Sequence, residues 1–349
     1  MDDMFDSILI IQTAFIGDAI LTLPLIQVLK KNYPRSSIDV VVVPRTIEIF
    51  TNHPAISSII PYDKRGSDKG LIGFCRLRNQ FRAKKYELII IPHRSLRSAL
   101  LGRLLKPKVC VGFDRSSGRL LFTKVIHYNP AEHEIGRNLS LLNPFSIQID
   151  RNELPQLYPS VEDVKTVDSV VDGFGLKKDN HFVTVAPGTI WNTKRWPSDR
   201  FTALCKQLSS ECSAVLLIGG KEDNALCEEI AGNTKAKNVL NAAGKLTLLQ
   251  SAELIKRSCV LISNDSAPMH IAVAVGTPVV AIFGATIPEF GFAPRGANDI
   301  VVETKGLKCR PCSIHGGKTC PIGTFECMTA ITPDFVIDKV RRFLKNDAS

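Results

Sequence analysis

The chain has 349 residues, 44% of them hydrophobic and 7% aromatic, and a formal net charge of +10. That length suits two domains, and the composition excludes a disordered, fibrous or disulfide-dense protein. No apolar run approaches the roughly 20 residues needed to span a bilayer, and the acidic opening Met1-Asp2-Asp3-Met4-Phe5-Asp6 lacks the basic start of a secretory signal, so a cytoplasmic protein is expected.

Ile8-Leu9-Ile10-Ile11 has the pattern of a buried strand. It turns through Ala14-Phe15-Ile16-Gly17-Asp18 into a helix bearing Ile20, Leu21, Leu25, Ile26 and Leu29, which Pro24 should kink or delay. Asp18 is either a first-turn charge or a general base at the carboxyl end of the strand. The turn has too few glycines for a dinucleotide fingerprint. Strands are predicted at 38–43, 88–91 and 109–112, with a basic amphipathic helix over 71–85. This alternation argues for a parallel α/β sheet.

Residues 1–160 hold 22 Lys and Arg against 14 Asp and Glu, and the remainder 22 against 20. The excess basicity therefore belongs to the N-terminal half and points to an acidic partner there. Nucleic acid fits least, since no recognised binding motif or aromatic-basic interleaving is present. Lys64, Arg65, Arg94, Arg97, Arg115 and Arg119 are ordinary surface charges taken singly. As a group, several follow predicted strands and favour an anionic acceptor site.

The stretch 146–178 lacks a strong period, and a second alternating series begins after it. The expected division is an N-terminal domain over 1–165, a second over 166–332, and a terminal helix over 333–349 that could pack back on the first. After a strand at 182–186, Thr189, Ile190, Lys194 and Arg195 lie on a loop ending in Trp196-Pro197. Lys194 could neutralise a diphosphate, or the loop could be solvated basic surface. Glu222, after Gly219-Gly220, could accept hydrogen bonds from a ribose or simply open a helix. Leu246 could wall a base or belong to the core.

Residues 261–284 carry the strongest signal. An apolar run ends in Ser263-Asn264-Asp265-Ser266, Pro268 lies just inside the following helix, and Gly276-Thr277-Pro278 turns into a second β-branched run. The helix start, with its exposed N–H groups and positive dipole end, forms an anion site. Asp265 stands at its lip, and His270 lies one turn in, on the face of Ser266.

Ten cysteines in such a chain do not suggest a disulfide framework. Cys309-x2-Cys312-x7-Cys320-x6-Cys327 could hold zinc, or remain free or redox-active thiols.

Taken together, Phe15-Ile16-Gly17-Asp18-Ala19-Ile20-Leu21-Thr22-Leu23-Pro24, Lys194-Arg195-Trp196-Pro197 and Asn264-Asp265-Ser266-Ala267-Pro268-Met269-His270 resemble the ADP-heptose:lipopolysaccharide heptosyltransferases, glycosyltransferase family 9. Cys309-Arg310-Pro311-Cys312, Cys320-Pro321 and Glu326-Cys327-Met328 resemble the heptosyltransferase II branch. The resemblance implies a GT-B fold, two facing Rossmann-like domains with a central cleft, the first binding acceptor and the second the ADP-sugar. It implies Asp18 as catalytic base and Lys194 as donor-phosphate lysine. Thr189, Glu222 and Leu246 would meet the nucleoside, Asp265 the donor heptose, and Ser266, Ala267 and His270 the diphosphate. Ile190 stands where relatives can offer a hydroxyl, and Ala267 replaces a frequent glycine, so these two contacts would use backbone groups.

The function implied is an inverting transfer of heptose from ADP-heptose to heptose I of the lipopolysaccharide inner core, with no required cofactor and with peripheral contact at the inner membrane. The alternatives are a heptosyltransferase I-like enzyme acting on Kdo-lipid A and a related transferase using another nucleotide sugar.

Overall fold

Runs of Ile, Val and Leu between helical stretches become strands covered on both faces, as a parallel sheet requires. The computed structural model of the chain describes residues 5–64, 66–82, 84–177 and 180–344. It divides into two units, one ending at Tyr158 and the next starting at Pro159.

The first unit runs β1 (Ser7–Gln12), α1 (Ile16–Ile20), α2 (Leu23–Asn32), β2 (Ser37–Val42), α3 (Ile47–Phe50), β3 (Ser58–Pro61), α4 (Gly70–Arg82), β4 (Leu88–Ile91), α5 (Leu96–Leu104), β5 (Val109–Phe113), β6 (Lys124–Ile126) and α6 (Glu134–Ser140). Its strands lie in the order β3-β2-β1-β4-β5-β6, all in parallel, with Ile8 opposite both Ile38 and Leu88. Pro24 sits in the first turn of α2, so the expected single helix breaks into α1 and α2.

The second unit runs α7 (Val161–Gly173), β7 (Phe182–Ala186), α8 (Ser198–Leu208), β8 (Ala214–Leu217), α9 (Asn224–Thr234), β9 (Val239–Asn241), α10 (Leu248–Lys256), β10 (Leu261–Asn264), α11 (Ala267–Val275), β11 (Val279–Phe283), β12 (Ile300–Glu303), α12 (Glu326–Thr329) and α13 (Pro333–Leu344). Its strand order is β12-β11-β10-β7-β8-β9, again parallel. Each unit is thus a Rossmann-like sheet whose order reverses at its centre, between β1 and β4 in one and between β7 and β10 in the other. Ligands of open α/β sheets bind beyond the carboxyl ends of strands at such reversals.

Two expected boundaries differ from those observed. A division at 165/166 would cut through α7, which Ser160 starts as a unit. Its hydroxyl accepts from the Asp163 N–H at 3.1 Å, and the Asp163 carboxylate accepts from the Ser160 N–H at 2.8 Å. Helix α7 is also tied to α10 by the Asp168–Arg257 ion pair at 2.7 Å. The terminal helix belongs to the second unit, because Val336, Ile337 and Val340 join Trp196, Phe201 and Leu208 in one core.

Strands β3, β6 and β12 were not anticipated. They are four, three and four residues long. All three are outermost strands of their sheets, where a short run leaves little periodicity to read.

Candidate active site

In the first unit the chain leaves β1 at the point of reversal and enters α1 within a few residues. Asp18, in the first turn of α1, accepts a hydrogen bond from the Phe15 N–H at 3.2 Å. The turn is held from beneath: Gln12 Nε2 donates to Thr22 Oγ1 at 2.7 Å, and Thr22 Oγ1 donates to the Asp18 carbonyl at 2.8 Å. Lys64 Nζ donates to the Thr13 carbonyl at 2.8 Å, and His93 Nδ1 lies 3.3 Å from Thr13 Oγ1. Burial, with Lys64 and Arg94 nearby, lowers the His93 pKa to about 4, so its ring is neutral near pH 7. A half-buried carboxylate on so braced a turn is built to keep one orientation.

The sequence-predicted cations divide in the structure. Arg94 and Arg115 converge on the Tyr128 ring, their guanidinium carbons 4.6 and 5.7 Å from its centroid. Arg97 stacks on Tyr62 instead and donates to the Asp68 and Gly70 carbonyls, each at 3.0 Å. Lys64 braces the Asp18 turn, Arg119 stands exposed on a short 3-10 turn over 119–121, and Arg65 lies outside the described residues. The five described cations therefore divide among different partners.

Sequence reasoning missed the group behind Tyr128. Arg137, 1% exposed, stacks on that ring and bonds to the Tyr128 hydroxyl, and its Nη1 lies 2.9 Å from Glu134 Oε2. The i, i+3 spacing of Glu134 and Arg137 was the available signal. Helix α6 is pinned beneath α1 by Asn138, whose Nδ2 donates to the Leu21 carbonyl at 3.0 Å.

Burial pushes the Glu134 pKa up to about 7. Arg137 opposes the rise, Asp18 adds to it, and Arg94 and the Tyr128 hydroxyl oppose it. Its folded pKa exceeds the unfolded one, so the folded state holds more protons between about pH 4.5 and 7, and the contribution is lost as pH rises through that window. Glu134→Gln should flatten the fall in stability across the window, by up to about 3 kcal/mol. Urea unfolding at a series of pH values checks this; an unchanged slope rejects the assignment.

In the second unit the loops after β7 and β10 meet at the reversal. Asn264, at the end of β10, joins them: its Oδ1 accepts from the Trp196 N–H at 3.0 Å, and its Nδ2 donates to the Pro187 carbonyl at 2.8 Å. This side chain is fully buried, and its role as a joint could not be read from local sequence. Beside it, Lys194 Nζ lies 2.7 Å from Asp265 Oδ2, with the two side chains 14% and 8% exposed. Thr286 Oγ1 donates to the same carboxylate oxygen at 2.6 Å. The expected phosphate cation and the expected sugar carboxylate thus form a pair.

Ser266 occupies the N-cap position of α11, but its hydroxyl gives the helix no cap bond and lies 3.3 Å from Ser263 Oγ. Ala267 opens the helix, and His270 is buried one turn in. Without a cap from Ser266, the N–H groups and positive dipole end there suit an anion.

Thr189 is half-buried, and its carbonyl accepts from Arg195 Nη2 at 2.8 Å; Ile190 is exposed. Glu222 is exposed after β8, whereas its neighbour Asp223 turns inward and accepts from the Gly220 N–H at 3.0 Å. A Cβ at Gly188 would fall 2.0 Å from Asp223 Oδ1, so glycine is required where this carboxylate fits between the two loops. The Gly244 N–H donates to the Gly219 carbonyl at 3.0 Å, which brings the turn before Leu246 beside that of Glu222.

The cysteine-bearing segment folds over this region. Arg310 donates to the carbonyls of Thr286 and Thr304 at 2.7 and 2.9 Å and pairs with Glu303 at 2.7 Å. Gly316, at φ +81°, packs against the Lys194 stem, and the Gly317 N–H donates to Thr193 Oγ1 at 2.7 Å. Cys309, Cys312, Cys320 and Cys327 are free thiols. Among the described residues no group of three or more His, Cys, Asp or Glu is placed to hold a metal ion, so the alternative of a zinc site is not supported. The segment's visible work is to cover and brace the Lys194 loop.

Residues 74–321 match the family model for glycosyltransferase family 9 (heptosyltransferase). The lipopolysaccharide heptosyltransferase 3 of Escherichia coli is 32% identical over 280 residues, which cover 78% of this chain and 82% of that protein. Among solved structures, a glycosyltransferase family 9 protein from Veillonella parvula superposes with a TM-score of 0.89 at 23% identity, over 99% of this chain and 98% of that one. The E. coli ADP-heptose lipopolysaccharide heptosyltransferase II superposes with a TM-score of 0.79 at 24% identity, over 98% and 100%.

Proposed function

The chain belongs to glycosyltransferase family 9, the heptosyltransferases, and from that premise we propose that it moves heptose, with inversion, from ADP-heptose to heptose I of the lipopolysaccharide inner core. The observation that carries this reading is the second unit's site: a buried Lys194–Asp265 pair beside the start of α11, at the carboxyl edge where the sheet order reverses. Such a site suits a diphosphate that departs with a growing charge, because a fixed cation and fixed N–H dipoles stabilise charge without reorganising.

Each group then has a role. Asp18 takes the proton of the acceptor hydroxyl as that oxygen attacks the anomeric carbon. The bond from that carbon to the phosphate oxygen breaks, and ADP leaves with the electron pair. Lys194 and the N–H groups near Ser266 and Ala267 receive the charge, with His270 behind them. Lys194 and Thr286 both engage Oδ2 of Asp265, and we assign Oδ1 to a donor-sugar hydroxyl. Glu222 and Leu246 are assigned to the ribose and base, and Thr189 and Ile190 meet the nucleoside, Ile190 through its backbone. Arg94 and Arg115, presented on Tyr128, are assigned to the anionic acceptor.

The likeness to a heptosyltransferase 3 favours a second reading in which a different core sugar accepts. Incubation with ADP-heptose and defined truncated cores, read by intact mass, decides between them. A heptose added only to single-heptose core supports the first reading, and addition only to more complete cores supports the second. ADP-heptose giving no product where a UDP- or GDP-sugar does would overturn the donor assignment.

A further inference from the structure

Helix α5 departs from the usual surface helix. Its inner face is buried through Ser98, Ala99, Leu101 and Gly102, yet its outer face is also apolar. Leu96, Leu100 and Leu104 follow one another at i, i+4 spacing and all stand exposed, Leu96 by 55%. A surface helix normally carries polar groups on that side.

A second exposed leucine site adjoins it. A Cβ at Gly118 would lie 2.3 Å from the Ala99 methyl and 3.4 Å from Leu96 Cδ1, so the 3-10 turn that follows rests against the start of α5. That turn presents Leu120, 92% exposed. Exposed leucines gathered in this way mark an interaction surface rather than ordinary scatter.

Charge identifies the partner. Residues 94–126 contain eight Lys and Arg and a single acidic residue, Asp114. Asp114 is engaged by His127 at 2.8 Å and by the Tyr128 N–H at 3.0 Å. Arg103, Lys106 and Arg119, neighbours in sequence of the outer leucines, are exposed. Apolar side chains framed by cations match an anionic bilayer surface, where leucines enter the acyl boundary and cations meet headgroups. A protein partner would have to supply an acidic rim around an apolar groove, for which nothing in the molecule argues.

We propose that the outer face of α5, with the turn over 119–121, docks this chain on an anionic membrane. The proposal deepens the functional reading, since it rests on an acceptor anchored in lipid. The face belongs to the same unit as Asp18, and α5 starts at the carboxyl edge of the sheet from which the Asp18 turn also leaves. Docking would bring the acceptor to that edge.

The test is flotation of the full chain with phosphatidylglycerol-containing vesicles and with phosphatidylcholine vesicles, together with turnover of a water-soluble and a vesicle-embedded acceptor. The chain should float only with the anionic vesicles, and less as salt rises. Leu100→Asp with Leu120→Asp should abolish flotation; both side chains are exposed, so folding should be unaffected. Arg103→Gln with Lys106→Gln, both exposed and outside the acceptor set, should weaken partitioning by about fivefold per cation removed. Both pairs should lower turnover of the embedded acceptor and spare that of the soluble one. Equal flotation with neutral vesicles, or variants that float like the parent, would overturn the proposal. So would a dimer of the parent that the leucine variants dissolve, because the face would then belong to a second copy. Anionic flotation without turnover of either acceptor would leave the docking face standing and reject the functional reading instead.

Discussion

Asp18→Asn should lower kcat by about 10²–10⁴-fold, the usual contribution of a positioned general base, and leave donor KM and thermal stability nearly unchanged. The amide keeps the size of the carboxylate, and its oxygen can still accept from the Phe15 N–H. The turn beneath is held by Gln12, Thr22 and Lys64, so its shape does not depend on the Asp18 charge. What the amide cannot do is take a proton from the acceptor hydroxyl. A loss confined to kcat assigns the proton transfer to Asp18, whereas a loss confined to stability would make it a first-turn helix acid. Full turnover would remove Asp18 from the mechanism.

Glu134 supplies a second readout at the same place. It interacts with Asp18 electrostatically and titrates near neutrality, so its ionisation adds negative charge beside the base. The rate should therefore retain a dependence near pH 7 in the parent and lose it in Glu134→Gln, with Asp18 still acting. Steady-state kcat measured from pH 5 to about 9 shows whether that limb disappears.

The sequence made the sheet architecture legible because its inner strands are nearly unbroken apolar runs, most of their residues β-branched. Ile8-Leu9-Ile10-Ile11 and Val279-Val280-Ala281-Ile282-Phe283 are nearly continuous apolar runs, the mark of burial on both faces. Turn chemistry likewise placed Asp18, Lys194 and Asp265 beyond strand ends. What stayed hidden was side-chain pairing across long sequence distances. Nothing local says that Lys194 reaches Asp265, or that Asn264 bonds to both Trp196 and Pro187. The basic residues of the first half were visible as a group. Their division was not, because an arginine stacked on Tyr128 and one donating to backbone carbonyls look alike in one dimension. The cysteine spacing suggested a ligand set, yet the decisive contacts of that segment come from Arg310 and Gly317, which spacing rules do not weigh.

Lys194→Ala should cost about 10²–10³ in kcat, the range for removing one preorganised donor from a developing charge. The substitution also leaves Asp265, 8% exposed, without its cation, and breaking one side of a buried pair destabilises by about 3–5 kcal/mol. The single variant therefore mixes two effects, and a second separates them. In Lys194→Ala with Asp265→Asn the stranded charge is gone, and Thr286 can still donate to the amide oxygen. Stability should recover in the double variant while kcat stays low. Lys194→Arg should rescue stability with at most partial turnover, since a planar fork cannot copy a compact ammonium beneath the stem contact with Gly316. Thermal melts read the pairing, and ADP product inhibition reads the phosphate contact. An ADP affinity unmoved by loss of Lys194 would leave the lysine only its partnership with Asp265. The leaving-group charge would then fall to the N–H groups at the start of α11 alone.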